Sequence, residues 1–342
     1  AEHIAAVLAG HSDHPVSRAI AAGLAPNSVE AKDFTAIAGR GVQADIGGTV
    51  YVLGNHDRLL AEAPGARAAI REALTGRTDV APFALELALP EYGVLAYHGH
   101  RVEPYCHEED GGAPISDAVG YELITRFPER LRAELGDAVR DAPLEDIDDV
   151  RPLYAVPAWI RALAGAEPGW GKAVSKSWRE LVREFLENPF VRDWMRRHHK
   201  ALTLDYAGQL RLALKLSAGI GIGRSVNQRL VKAHDMLAHF IDARFVRAAA
   251  RALDASKDDR LRFVVNGHTH FATLAPLGTI GGGPACYFNS GTWRRLHRLG
   301  GLVGGGPAFI SHETMTFLLF YPKPDGTGRR WEQWTGALGE TA

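Results

Sequence analysis

The segment Phe263–Phe271 places the strongest constraint on the fold, because an apolar run stops there at a glycine and two histidines. The run Phe263–Asn266 is partly β-branched, which predicts a buried strand, and Gly267 predicts a tight loop at its carboxyl end. On such a loop His268 and His270 can point at two neighbouring positions, as two adjacent metal ions require. An isolated His-x-His is equally typical of two solvent-exposed histidines, so the rest of the chain decides.

Two other apolar runs lead into metal-capable side chains in the same way. Val50–Leu53 is followed by Gly54–Asp57, which reads Gly-Asn-His-Asp, and Tyr92–Tyr97 is followed by His98–His100, which reads His-Gly-His. In a layered α/β sheet, the carboxyl ends of the strands line one edge, and such folds place their sites there. The sequence therefore predicts an α/β fold with these polar segments together at one edge of a sheet.

These segments, in this order, resemble the third, fourth and fifth signature blocks of the calcineurin-like metallophosphoesterase family. The matching sequences are Gly54–Asp57, His98–His100 and Gly267–His270, and Asn289–Trp293 matches the strand that usually follows. The resemblance implies a metallophosphoesterase-like domain with a layered sheet over residues 55–342. It also implies hydrolysis of a small phosphomonoester or phosphodiester substrate by metal-activated water.

The same resemblance implies which side chains hold metal. Asn55, His98 and His268 match the ligands of one ion, and His270 matches a ligand of the other. Imidazole and amide ligands suit divalent Mn, Fe, Zn or Co. The resemblance implies two ions about 3.5–4 Å apart, and a single ion is the alternative. Without the family, Asn55 is interpreted as a turn residue after Gly54.

Catalytic roles fall on His56 and Asp57 under this resemblance. His56 would lie beside the phosphoryl group, where it stabilises developing charge or protonates the leaving oxygen. Asp57 would accept the other ring proton of His56 and so fix its tautomer. The residue types leave a second interpretation open, in which Asp57 caps a helix.

The sequence departs from the family pattern upstream of Gly54. The family's opening Asp-x-His and Gly-Asp blocks, which supply a carboxylate that bridges the metals, are not found there. Two cations without that carboxylate repel each other with little compensation, so we expect weak hydrolysis or none. The alternative is a catalytically inactive metal- or nucleotide-binding module, and the number of bound ions separates the two.

Residues 1–54 resemble part of the nucleotide-binding domain of heavy-metal-transporting P-type ATPases, a small α+β segment. The matching motifs are Ser12–Pro15, Gly39–Val42 and Tyr51–Asn55. By this resemblance His14, Gly39 and Gly41 contact a nucleotide, and an ATP-binding fragment becomes a third hypothesis. Without the family, His14 starts a helix and the glycines form hairpin turns of an antiparallel meander. The pump's phosphorylation motif is not found, so transport is not expected.

An inserted helical cap is predicted from about residue 110 to residue 240, because this region is too long for a loop between sheet strands. Apolar residues recur there at helical spacing in Arg126–Arg140, Trp178–Arg197 and Gln209–Leu216. The tryptophans of the region are interpreted as packing residues. Beyond the cap, Gly300–Gly306 is predicted to be a glycine-rich loop.

Composition limits the partners and the location that we expect. A formal net charge of −1 over 342 residues gives no sign of a nucleic-acid or membrane surface. No apolar run approaches the roughly 18 residues that span a bilayer. With only two cysteines a disulfide scaffold is not indicated, so a reducing cytoplasm is the expected location.

Overall fold

The computed structural model describes most of the chain from residue 78 onward and parts of the earlier sequence. The described residues are 32–37, 41–45, 52, 54–55, 57–58, 62–75, 78–139, 144–151, 155–199, 205–219, 243–303, 306–324 and 326–339. They divide into two compact units. The first, the sheet unit, comprises the described residues up to His100 with Phe245–Arg295 and Glu313–Leu338. The second, the helical unit, comprises the described parts of Arg101–Arg244 with Leu296–His312.

An antiparallel hairpin comes first among the described elements. Strand β1 (Lys32–Ile37) pairs with strand β2 (Gly41–Asp45), and Ile37 lies opposite Gly41. This pairing confirms the hairpin that the glycines predict. The predicted strand Val50–Leu53 lies mostly outside the described residues; within it, Val52 forms one parallel bridge with Ala84.

The sheet unit is built on a five-stranded mixed sheet. Its strands are β3 (Glu86–Leu89), β4 (Val94–Tyr97), β5 (Phe263–Asn266), β6 (Ala272–Ile280) and β7 (Gly283–Ser290). The strand order is β3-β4-β5-β7-β6, with β4, β5 and β7 parallel and the two edge strands antiparallel to their neighbours. The predicted strands at β4 and β5 are confirmed. Because the three central strands are parallel, their carboxyl ends meet at one edge.

Aromatic side chains form the apolar core of this unit. Phe288 in β7 is fully buried, and its ring centre lies 4.9 Å from that of Trp331 and 5.5 Å from that of Phe320. Phe263 in β5 lies 5.4 Å from Phe320 by the same measure. These contacts join β5 and β7 to a single packed cluster. Helix α1 (Pro64–Thr75) also belongs to the sheet unit.

The helical unit occupies the region predicted to be a helical cap. Its helices are α2 (Ile115–Val119), a π-helical turn (Gly120–Thr125), α3 (Arg126–Leu135), α4 (Val156–Ala166), α5 (Trp170–Glu187), α6 (Pro189–His198) and α7 (Tyr206–Gly219), with 3-10 turns at Gly136–Val139 and Leu144–Asp149. Trp159, Trp178 and Trp194 are buried in its core, which confirms their interpretation as packing residues. Residues 243–256, which follow it in the described chain, are helical (α8).

Two helices, α5 and α6, account for the helical spacing of Trp178–Arg197, because the chain breaks between them. Asn188 leaves helical geometry, and its side-chain oxygen accepts a hydrogen bond from Phe190 N at 2.9 Å. Pro189 follows as the first residue of α6, where its missing N–H costs no hydrogen bond. Asn188 therefore ends one helix and caps the next.

A three-stranded sheet completes the described fold. Its strands are β8 (Arg295–Val303), β9 (Gly306–Phe320) and β10 (Trp331–Gly339), with β9 in the centre. The predicted loop Gly300–Gly306 is wrong, because β8 continues to Val303 and β9 begins at Gly306. At Gly300 a Cβ would lie 3.2 Å from Ile310 Cδ1, a contact that the Ile310 side chain would have to yield to slightly.

Helices and mixed sheets together confirm the predicted α/β class. The finer assignment to a metallophosphoesterase-like layered sheet stays a prediction. Within the described part of the chain, no helix is both long enough and apolar enough to cross a membrane.

Candidate metal centre

The loops that follow β4 and β5 are tied together at the carboxyl edge of the sheet. The carbonyl of His98 accepts hydrogen bonds from Gly267 N at 3.1 Å and from His268 N at 3.0 Å. Asn266, the last residue of β5, donates from its side-chain amide to Tyr97 O at 2.7 Å. These bonds place the His-Gly-His segment next to the Gly-His-Thr-His segment, as the parallel strands predict.

Three side chains predicted as ligands of one ion converge at this edge. His98 Nε2 lies 3.1 Å from Asn55 Oδ1 and 3.2 Å from His268 Nδ1. Asn55 is buried at 8% exposure, and both histidines are half-buried. We call these residues the Asn-His cluster. His98 and His268 are 170 residues apart in the sequence, so the cluster joins distant loops.

Two hydrogen bonds with opposite donor and acceptor roles cannot both form at His98 Nε2. In a neutral imidazole, Nε2 either carries a proton or offers a lone pair. Nε2 of His98 therefore cannot donate to Asn55 Oδ1 while it accepts from His268 Nδ1, and one N–H shared between two acceptors is the hydrogen-bonded alternative. A cation, by contrast, satisfies three lone pairs at once.

The two separations at His98 Nε2 also match the separation of ligand atoms around a metal ion. Ligand atoms about 2.1 Å from one ion lie about 3.0–3.4 Å apart at octahedral or tetrahedral angles. The separations of 3.1 Å and 3.2 Å at His98 Nε2 fall in that range. Two imidazole nitrogens and one amide oxygen form a donor set that suits Zn, Co, Fe or Mn. The residues therefore fit a divalent ion.

A further imidazole, that of His100, lies beside the cluster. Its ring centre is 5.5 Å from that of His98 and 6.5 Å from that of His268, and its Nδ1 is shielded from solvent. No role was predicted for His100 from the sequence, although it belongs to the His-Gly-His motif that follows β4. The ring of Phe245 in α8 lies 5.9 Å from that of His268 and adds an apolar wall.

Asp57 holds the turn that presents Asn55. Its Oδ2 accepts a hydrogen bond from Gly54 N at 3.1 Å, and its own N–H donates to Gly54 O at 3.3 Å. This bond closes the Gly54–Asp57 turn, and the interpretation of Asp57 as a helix cap stays a prediction. The predicted partner of Asp57, His56, lies outside the described residues, so the catalytic roles of both stay predictions. A Cβ at Gly54 would lie 3.0 Å from Asp57 Oδ2 and 3.1 Å from His98 Cε1, which explains the glycine.

The loop after β5 turns sharply at His270. Its backbone has a φ of 65°, in the left-handed region that few non-glycine residues adopt, and its N–H donates to Gly267 O at 3.3 Å. Such conformations cost of order 1–3 kcal/mol and cluster at functional sites. The assignment of His270 to a second ion stays a prediction.

Two neighbouring polar residues support the loops. Asn266 is 3% exposed, and burial raises the pKa of the Tyr97 phenol, which a hydrogen bond to Asn266 partly offsets. Tyr97 therefore stays neutral near pH 7.

Asn289 is fully buried, and its Oδ1 accepts from Gly291 N at 2.9 Å. Trp293 Nε1 donates to Thr316 O at 3.0 Å, so the Asn289–Trp293 block has a structural role here.

Most of the residues predicted to contact a nucleotide are outside the described part of the chain. His14 and Gly39 lie outside the described residues, and Gly41 is the first residue of β2. Gly41 lies opposite Ile37 in the predicted hairpin, whereas Gly39 is not among the described residues. Nucleotide binding by residues 1–54 stays a prediction.

Replacing Gly99 by alanine is expected to destabilise the sheet unit and weaken metal binding. Gly99 has a φ of 106°, and a Cβ would lie 3.2 Å from both Asn266 Cγ and His268 Cβ. We expect a loss of at least about 1–2 kcal/mol in the free energy of unfolding, measured by urea titration. Gly65→Ala is the matched control, since a Cβ there meets nothing within 4 Å, and equal losses in both variants would contradict the prediction.

Comparisons with known proteins add no relative to these observations. No model of a known protein family matches the chain. No curated protein matches it, and no solved structure matches it. The geometry of the Asn-His cluster is therefore the main evidence about function.

Proposed function

We propose that this protein is a metal-dependent phosphoesterase that hydrolyses a small phosphomonoester or phosphodiester. The observation that supports the proposal is the approach of Asn55 Oδ1 and His268 Nδ1 to His98 Nε2, at 3.1 Å and 3.2 Å. The order of the motifs along the sequence supports it independently, because each one follows an apolar run that is a strand or is predicted to be one.

Asn55, His98 and His268 would hold one divalent ion, of Mn, Fe, Zn or Co. A bound ion would supply polarisation of a phosphoryl oxygen and activation of water. The backbone bonds from Gly267 and His268 to the His98 carbonyl keep the two histidines in register before any ligand arrives. This rigidity reduces the reorganisation that binding requires.

The surroundings of the cluster favour binding of the ion. Asn55 is buried and Phe245 flanks His268, so water is partly excluded and electrostatic attraction is stronger than at an open surface. His270 would hold a second ion. His56 would contact the phosphoryl group. Asp57 closes the turn from Gly54 to Asp57 by accepting a hydrogen bond from Gly54 N.

Turnover is expected to be slow, because the sequence upstream of Gly54 lacks the family's bridging carboxylate. A second candidate function, a metal-binding module without turnover, is favoured by the same three-donor set, which suffices for one ion. One bound ion per chain without hydrolysis would support the module, whereas two ions with hydrolysis would support the enzyme.

Hydrolysis of p-nitrophenyl phosphate and bis-p-nitrophenyl phosphate tests the proposal. With added Mn²⁺ or Zn²⁺ we expect measurable turnover below about 1 per second, abolished by a chelator and restored by metal. Asn55→Ala and His268→Ala should lose it. His199→Ala should keep it, because this exposed histidine contacts Asp205 in the helical unit instead. Turnover that neither the chelator nor the two variants reduce would overturn the proposal.

A further inference from the structure

Three side chains of the helical unit form a contact series that is separate from the Asn-His cluster. Asp146 lies in the 3-10 turn Leu144–Asp149, His297 lies in β8 and Ser311 lies in β9. His297 Nδ1 is 2.8 Å from Ser311 Oγ, and His297 Nε2 is 3.0 Å from Asp146 Oδ2. A hydroxyl, an imidazole and a carboxylate are thus joined in the order that activates a nucleophile.

The carboxylate determines which nitrogen of His297 carries the proton. A negative charge on Asp146 facing Nε2 favours a proton there, which leaves the Nδ1 lone pair for the Ser311 hydroxyl. The Asp146 oxygen lies off the direction of an Nε2–H bond, so this contact is not an aligned hydrogen bond. Contacts of this kind are often loose before substrate binds and then align.

The members of the series differ in their access to solvent. The side chain of His297 is only 8% exposed and that of Asp146 is 29% exposed, whereas Ser311 is half-buried. Burial of the ring strengthens the attraction between the carboxylate and an imidazolium. Ser311 is partly exposed, so a small reagent can approach this residue.

The backbone of His297 is anchored independently of its side chain. Its carbonyl accepts a hydrogen bond from Arg151 N at 3.1 Å, and it forms a parallel bridge with Val150. The base is therefore held in place by main-chain bonds that a change at Ser311 does not touch. Reactivity and folding can be separated by experiment for this reason.

We propose that Ser311 is a nucleophilic hydroxyl that hydrolyses small carboxylic esters, with His297 as its base and Asp146 as a positioning residue. Ser311 Oγ attacks the ester carbonyl carbon, and its proton passes to His297 Nδ1. The bond from that carbon to the alkoxy oxygen breaks, and the leaving oxygen takes the proton from Nδ1 to form the alcohol. Water then attacks the acyl-serine, its proton returns through His297, and the acid and free Ser311 are released.

A fluorophosphonate carrying biotin tests the proposal on the full chain, because serine attack on phosphorus displaces fluoride and leaves a covalent label. We expect the label on Ser311 by peptide mass spectrometry, together with hydrolysis of p-nitrophenyl acetate that a chelator does not reduce. His297→Gln should slow labelling by at least about 100-fold. Asp146→Asn should slow it by at least about 10-fold. Chelator insensitivity separates this activity from metal-dependent phosphoester hydrolysis.

Ser256→Ala is the matched control, because that hydroxyl donates to the Leu253 carbonyl at 2.7 Å rather than to an imidazole. It should label as the wild type does, while Ser311→Ala should not label at all. Circular dichroism of each variant establishes that it folds. A wild-type protein that carries no label at Ser311, or a His297→Gln protein that labels at the wild-type rate, would overturn the proposal.

Discussion

Replacing His98 by alanine is expected to lower the affinity of the protein for Zn²⁺ by more than about 100-fold, because loss of a direct ligand costs more than loss of an outer-shell partner. His98 Nε2 is the atom that both other members of the Asn-His cluster approach, at 3.1 Å and 3.2 Å. Its removal leaves Asn55 and His268 without the donor between them. Isothermal titration with Zn²⁺ measures the effect.

The control for this experiment is His199→Ala, which removes an imidazole without touching the cluster. The His199 side chain is 60% exposed and contacts Asp205, so its loss should leave the Zn²⁺ affinity unchanged within about twofold. His98→Gln adds a test of ligand chemistry, since an amide is the weaker ligand for Zn²⁺. If His98→Ala binds Zn²⁺ as tightly as His199→Ala does, the Asn-His cluster is not the metal site.

Replacing Phe288 by alanine is expected to lower the free energy of unfolding of the sheet unit by about 3–5 kcal/mol. Phe288 is fully buried, and its ring lies within 5.5 Å of Phe320 and 4.9 Å of Trp331, measured between ring centres. The truncation leaves a cavity against neighbours on other strands, which relax only in part. Urea unfolding with hydrogen exchange of the β5 and β7 amides measures the loss locally.

Phe288→Leu is the milder companion, because it keeps an apolar side chain of closer volume and should cost less than Phe288→Ala. The same two variants also test how the core supports the site. Phe288 lies in β7, which pairs with β5, and β5 leads directly into Gly267 and His268. A loss below about 1 kcal/mol for Phe288→Ala would mean that this aromatic cluster does not hold the central strands.

The strand ends could be predicted from the sequence because local signals agreed there. Phe263–Asn266 is apolar, β-branched in part and stopped by Gly267, and it forms β5 over those residues. The approach of His98 to His268 followed from a general rule, that the carboxyl ends of parallel strands share an edge. No side-chain detail was needed for that expectation.

Other features depend on contacts that no local pattern encodes. The glycines of β8 resemble a loop in sequence, yet Gly300 and Gly301 lie in a strand that pairs with β9. The helical spacing of Trp178–Arg197 does not by itself show that the chain breaks at Asn188, where Pro189 begins the next helix. The meeting of Asp146 with His297 joins residues far apart in the chain, and only tertiary packing brings them together.

Anomalous diffraction from crystals of the Zn²⁺-loaded protein is the most direct test of the Asn-His cluster. We predict a peak at the zinc edge about 2.0–2.2 Å from Asn55 Oδ1, His98 Nε2 and His268 Nδ1. The same crystals of His98→Ala should lack that peak. Zinc bound elsewhere in the wild-type protein, with these three atoms still in mutual contact and no peak between them, would contradict the proposed metal centre.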